Sequence, residues 1–217
     1  MDSPLIIAYH LIWTAYGWWL PNDPRGSGSA TIASDVIAEL GDLHHGRRPV
    51  QPPGRVIREF YQTASRVLKH PLLKFDAAAR DAVGAAFGDV IRRERYTCYA
   101  CAIMPDHVHL LIRKHKHLAE EMADRLKTES RLRLCSSDLR TIDHPTWTGG
   151  CVWHVFFDHP DDIWRTIPYI ENNPLPLGLP IQRWPFITPY NNWPLHAGHS
   201  PNSPYARRLR EAGLYPA

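Results

Sequence analysis

The sequence predicts an α+β fold, and three observations carry that expectation. Apolar, β-rich runs recur at residues 5–14, 96–104, 107–113 and 151–158. Amphipathic stretches at 75–95 and 118–134 separate them, and a third, at 161–173, follows the last run. The order is therefore β, long loop, α, ββ, α, β, α. Its β-α-β-β-α-β part is the ferredoxin-like plan, an antiparallel sheet with two helices on one face. The closing helix is additional and bears a tyrosine. The opposite face of the sheet is expected to lie free for a site.

Each element has a local reason. Residues 5–14 (LIIAYHLIWT) are almost wholly apolar, as a buried strand requires. The turn-rich Pro21-Asn22-Asp23-Pro24-Arg25-Gly26-Ser27-Gly28-Ser29 ends that pattern. A short helical stretch at 34–40 and a Gly/His/Arg/Pro loop at 44–55 complete an insertion of about 15–60. Asp76 is placed to cap the helix at 75–95, where Val83, Phe87, Val90 and Ile91 make one stripe. Arg92, Arg93 and Arg95 complement the dipole at its end. Pro105-Asp106 is the tight turn between the middle strands. A Gly/Thr/Pro loop at 143–150 leads to the fourth strand. The organisation expected is a domain over 1–180 and a proline-rich extension over 181–217, since 11 of the 20 prolines follow residue 159.

Bulk properties exclude several classes. With 217 residues and 44% hydrophobic residues, the chain can bury one ordinary core. No apolar run of about 18 residues occurs, so no spanning helix and no membrane partner is expected. Met1-Asp2-Ser3-Pro4 lacks the basic segment of a secretion signal, which makes a cytoplasmic location the expectation. The net charge of +3 leaves a nucleic-acid partner open. Cys98 and Cys101 have CxxC spacing, but within one strand they should point to opposite faces, so inert thiols are expected.

Two constellations carry chemistry. In Met104-Pro105-Asp106-His107-Val108-His109-Leu110-Leu111-Ile112, His107 and His109 leave the same face of a strand. Two adjacent imidazoles can chelate one divalent ion, or be two ordinary hydrogen-bonded histidines. His10, in the first strand, reads as a structural histidine. The second constellation is Ile163-Trp164-Arg165-Thr166-Ile167-Pro168-Tyr169-Ile170-Glu171-Asn172-Asn173-Pro174. Ile163, Ile167 and Ile170 form an apolar stripe, and Tyr169 and Asn173 share a face one turn apart. Pro168 should kink or restart this helix, and Pro174 should turn Asn173 away from helical geometry and end it.

Together, AYHLIWTAYG, AIMPDHVHLLI and PYIENNPLPLGL resemble the first strand, the HUH motif and the tyrosine helix of the single-tyrosine transposases. The resemblance is to the REP-associated tyrosine transposases and related insertion-sequence transposases, and covers roughly residues 5 to 180. It implies cleavage and joining of single-stranded or hairpin DNA, that is, DNA transposition. Tyr169 would be the catalytic nucleophile, forming a 5′-phosphotyrosine. His107, His109 and Asn173 would hold a divalent metal, Mg²⁺ or Mn²⁺. Basic residues Lys114, Lys116, Arg125, Lys127, Arg131 and Arg133 are candidates for phosphate contacts, with a solvated helix face as the competing reading. Trp18, Trp19, Trp184 and Trp193 are candidates for base stacking or for pinning irregular segments. Members of the family act as monomers or as homodimers, and the sequence fits either. Two other readings stay open: a domesticated DNA-hairpin-binding protein without strand transfer, and a metal-dependent nuclease without a covalent intermediate.

Overall fold

A computed structural model describes residues 5–149, 152–193 and 203–213. Four strands form one sheet: β1 (Ala8–Thr14), β2 (Cys98–Ile103), β3 (His107–Arg113) and β4 (Trp153–Phe157). Their order across the sheet is β2-β3-β1-β4, and all three pairings are antiparallel. The chain is thus an α+β protein with a four-stranded antiparallel sheet and packed helices. Cys151, the first residue of the expected fourth strand, lies outside the described residues.

One face of the sheet is covered by α3 (Ala77–Glu94) and α4 (Ala119–Ser136), which pack on each other. Alternation decides which residues they meet. Tyr9, Leu11 and Trp13 of β1 and Val108, Leu110 and Ile112 of β3 turn to this face and join Phe87, Val90, Met122 and Leu126 in the main core. Helix α3 begins as expected, with the Asp76 carboxylate accepting from the Ala79 N–H at 2.8 Å.

The second face is not free, contrary to expectation. Helix α5 (Pro160–Asn172) lies over it and buries Ile163 and Ile170 with Ala8, Tyr99, Ala100, Leu111 and Phe157 in a second, smaller core. Pro168 stands inside α5, which runs as one element through it. Asn173 keeps right-handed helical angles (φ −54°, ψ −34°), and a single 3₁₀ turn at Leu175–Leu177 follows Pro174. The bias of a residue before proline is overridden here by continuation of the turn.

The insertion is more ordered than its composition suggests. Besides the short α1 (Asp35–Ala38) it leads into α2 (Gly54–Val67), a helix the sequence reading left unassigned. Pro53 occupies its N-cap position, so it lacks the polar cap that announces a helix start. Tyr61 and Ala64 of α2 join Trp18 and Leu20 in the main core. The start of the proline-rich stretch, residues 179–193, is also anchored. Gln182 donates to the Ile103 carbonyl and accepts from its N–H, each at 2.7 Å, and so pairs the outer edge of β2 as a strand would. Trp184 lies flat against Gly84 of α3, where any Cβ would fall 2.1 Å from its ring. Near the end of the chain α6 (Pro204–Glu211) carries Arg207, Arg208 and Arg210.

The CxxC pair departs from simple alternation. The register of β2 against β3 slips between Cys98 and Ala100, and this bulge brings Cys98 and Cys101 into the same core. Both are free thiols, and burial pushes both thiol pKa values up, as inert core cysteines should behave.

Candidate functional site

The side chains of His10, His107 and His109 meet on the second face of the sheet, beside α5. The register places Ile12 opposite His109 and Thr14 opposite His107. His10 is therefore the diagonal neighbour of His109 on the same face, within reach of a ring. Its Nε2 lies 2.9 Å from His109 Nδ1. His109 Nε2 in turn lies 3.1 Å from His107 Nε2, and His107 Nδ1 lies 2.6 Å from the Asp106 carboxylate. Asp106, His107, His109 and His10 thus form one chain of contacts. Its ends occupy the Nδ1 atoms and leave the two Nε2 atoms facing each other.

Burial sets the charge of this chain. His10 and His109 are each 6% exposed. Burial lowers the His10 pKa to about 4. It also holds His109 well below the ordinary imidazole value, helped by the neighbouring charges of His107 and His10. Both rings are neutral near pH 7, the form that offers a lone pair. Burial also acts to raise the Asp106 pKa. The hydrogen bond to His107, its charge and that of Arg25 outweigh burial and keep the carboxyl below its usual range.

Helix α5 brings the tyrosine. The Tyr169 ring stands edge-on at 5.8 Å from His109 and 6.1 Å from His10, centroid to centroid, and is 53% exposed. The Ile163 and Ile170 side of α5 is buried, which turns Tyr169 toward the cleft. Asn173 lines the same cleft, and its amide N–H donates to the Tyr169 carbonyl at 3.0 Å. Asn172 is exposed and does not line the cleft, so of the two amides Asn173 is the one in it. The cleft holds about 580 Å³. Its far wall comes from the insertion, through Trp19, Gly26–Ser29 and Arg47, and its end from Trp153 and Val155 of β4.

Among the described residues no group of three or more His, Cys, Asp or Glu side chains is arranged to hold a metal ion. The facing Nε2 atoms of His107 and His109 do fit a two-imidazole donor set. Their separation of 3.1 Å is what two bonds of about 2.1 Å to one ion give near a right angle. Each ring also has the outer partner that metal-binding histidines use to fix their tautomer, Asp106 for one and His10 for the other.

The expected basic residues scatter. Lys127 lines the cleft. Arg131 lines a neighbouring groove with Lys127 and donates to the Ile142 carbonyl at 2.9 Å. Arg125 pairs with Glu94 and Arg133 with Asp89, both toward α3. Lys114 and Lys116 are exposed beyond the end of β3. Of the expected tryptophans, Trp18 is buried with its indole N–H on the Leu73 carbonyl. Trp19 lies under the Arg25 guanidinium at 4.1 Å, and Trp193 under that of Arg113 at 3.8 Å. Trp184 packs on Gly84, while Trp19 also lines the cleft. Arg47 and Trp153 also line the cleft without any signal in the sequence pattern, and His10, expected as structural, has His109 as its partner. His10 and Trp153 are found only through strand register, which places residues distant in sequence on one face.

No family model matches this chain, and no curated protein matches it in sequence. Solved structures similar to it at low identity include two transposases. One is a candidate transposase of Deinococcus radiodurans R1, with 16% identity, 79% of this chain and 92% of the other covered, and a TM-score of 0.37. The other is a REP-associated tyrosine transposase bound to a REP hairpin, with 13% identity, 100% of this chain and 87% of the other covered, and a TM-score of 0.42. Both likenesses are distant, and residue roles do not transfer through them.

Proposed function

We propose that this chain is a single-tyrosine nuclease of the HUH type that cuts and rejoins single-stranded DNA, as a DNA transposase does. One observation carries the reading: Tyr169 stands over the His109 and His10 rings of its own chain, 5.8 and 6.1 Å away. The sequence resemblance names Tyr169 as a nucleophile and His107 and His109 as a metal-binding pair. The strand order β2-β3-β1-β4, with α3 and α4 on one face, supports a ferredoxin-like scaffold beneath them.

The chemistry assigned to each residue follows from its place. The Tyr169 oxygen attacks the scissile phosphorus, a P–O bond to tyrosine forms, and the bond to the 3′ oxygen breaks. The phenolic proton leaves to solvent through the open side of the cleft, and the departing 3′ oxygen takes up a proton. The product strand carries a 5′-phosphotyrosine, and a second 3′-hydroxyl reverses the step without a nucleotide cofactor. Asp106 and His10 hold the His107 and His109 rings so that both Nε2 atoms face the cleft. Bound by His107 and His109, with Asn173 as a third donor, a divalent ion such as Mg²⁺ or Mn²⁺ would polarise the scissile phosphate and offset its charge. Asn173 also ties the last turn of α5 to the Tyr169 main chain. Lys127 is the phosphate-binding cation of the expected set in the cleft. Lys114, Lys116, Arg125, Arg131 and Arg133 are assigned to outer contacts with a longer strand. One chain carries the whole set, so a monomer suffices, and a DNA substrate fits a cytoplasmic protein.

The test is cleavage of a labelled, hairpin-flanked single strand with Mn²⁺. Wild type is expected to cut it, and Tyr169→Phe to leave it intact. Cutting that survives Tyr169→Phe would point instead to a nuclease without a covalent step. Tight hairpin binding without cutting in either would point to a binding protein.

A further inference from the structure

We propose that Trp153 is a stacking platform for an unpaired base of single-stranded DNA lying across the Tyr169 cleft, with Arg47 placed for a flanking phosphate. The proposal rests on the substrate class argued above and names the surface that grips it.

Trp153 opens β4, an edge strand of the sheet, and is 41% exposed. Alternation turns it, with Val155, into the cleft, while its neighbour His154 turns the other way, to Glu120 at 3.4 Å. Its indole is backed by main chain. A Cβ on Gly28 would lie 3.2 Å from Trp153 Cε3 and 3.8 Å from Cζ3, so the ring rests against the bare glycine of the insertion. That support is fixed in place. Ser27 exchanges main-chain hydrogen bonds with His44 and Gly46 at 2.7 and 2.8 Å. Upstream, the fully buried Asp23 takes Arg25 in a fork at 3.0 and 2.7 Å and a hydrogen bond from the Tyr61 hydroxyl. A rigid, half-open aromatic face costs little ordering when a base stacks on it.

Charge fits a polyanion. Arg47 and Lys127 line the cleft, and no Asp or Glu does among the described residues. The chain as a whole carries 22 acidic residues against 25 Lys and Arg, so this lining is selective. Other tryptophans offer no comparably free face: Trp19, also in the cleft, lies under the Arg25 guanidinium at 4.1 Å. Trp13 is 4% exposed, the Trp147 indole N–H donates to the Lys127 carbonyl at 3.1 Å, and that of Trp164 to Asn192 at 2.7 Å.

The experiment measures binding by the Tyr169→Phe chain, which keeps cutting out of the readout. The probes are labelled oligothymidylate and an abasic strand of the same length, in Mn²⁺, by fluorescence anisotropy. Adding Trp153→Val, which keeps a β-branched residue on the strand, is expected to weaken oligothymidylate binding by about 5- to 150-fold. It should leave abasic binding unchanged, and Trp153→Phe should restore most of the loss. Arg47→Ala is expected to weaken both strands by one factor and to lower the salt slope by about one. Equal binding of both strands before and after Trp153→Val would overturn the proposal, as would an equal loss on both. If the Tyr169→Phe chain binds neither strand, the substrate class fails and takes the platform with it. If it binds both strands but does not tell them apart, the platform alone fails.

Discussion

The two faces of the sheet are built from the same strands and do opposite work. The face under α3 and α4 is continuous and apolar: Leu11, Val108, Leu110 and Ile112 are fully buried there. The face under α5 is divided. Half of it, around Leu111, Ile163 and Ile170, is a small dry core. The other half holds three histidines, a tyrosine and an open cleft of about 580 Å³. The difference shows where stability is drawn from and where it is given up. A neutral imidazole buried beside two others loses hydration, and the first face, together with the hydrogen bonds to Asp106 and His10, offsets that loss.

The largest effects should appear on the apolar face. Leu110→Ala is expected to cost about 2–5 kcal/mol, read by urea unfolding. Ile170→Ala, in the smaller core, should fall toward the low end of that range. Equal or reversed costs would break the comparison. Next comes acid. His10 has its pKa lowered from 6.5 to about 4, so the unfolded chain binds a proton that the folded chain refuses between those values. That contribution is complete above about pH 6.5 and is lost as pH falls toward 4, to the extent of roughly 3 kcal/mol. Thermal melts of metal-free protein should show the midpoint falling across that window, with a shallower fall in His10→Leu.

A smaller effect sharpens the divided face itself. His10→Leu removes the partner of His109 Nδ1 and is expected to weaken Mn²⁺ binding by about 10- to 100-fold in calorimetric titration. His10→Gln, whose amide oxygen can accept the same proton, should recover most of it. If the two variants bind alike, His10 does not orient His109. Smallest is the cap of α3, where Asp76→Ala should cost about 1 kcal/mol in stability and leave Mn²⁺ binding unchanged.

Periodicity made part of this arrangement visible in advance. His107 and His109 fall on one face because they are two apart, and Val108, Leu110 and Ile112 fall under the helices for the same reason. Tyr169 and Asn173 come together because they are one helical turn apart. What escaped depended on partners distant in the chain. The hydrogen bond of His10 to His109 needs the β1–β3 register, 99 residues apart in sequence. The bulge that turns Cys98 and Cys101 to one core leaves no mark in the spacing. Arg125 and Arg133 look like a basic helix face until Glu94 and Asp89 of α3 stand beside them. Helix α2 escaped because Pro53 replaced the polar cap, although Tyr61 and Ala64 fix its buried side.

A nucleophilic Tyr169 beside the histidines of its own chain would leave a covalent mark on the strand it cuts. Wild-type protein should be incubated with Mn²⁺ and a hairpin-flanked single strand labelled 3′ of the cut, then denatured, digested and sequenced by mass spectrometry. The expected result is a labelled strand joined through its 5′ phosphate to the peptide containing Tyr169, absent in Tyr169→Phe and in the double variant His107→Ala/His109→Ala. A covalent adduct on another residue, or one that persists unchanged in Tyr169→Phe, would contradict it.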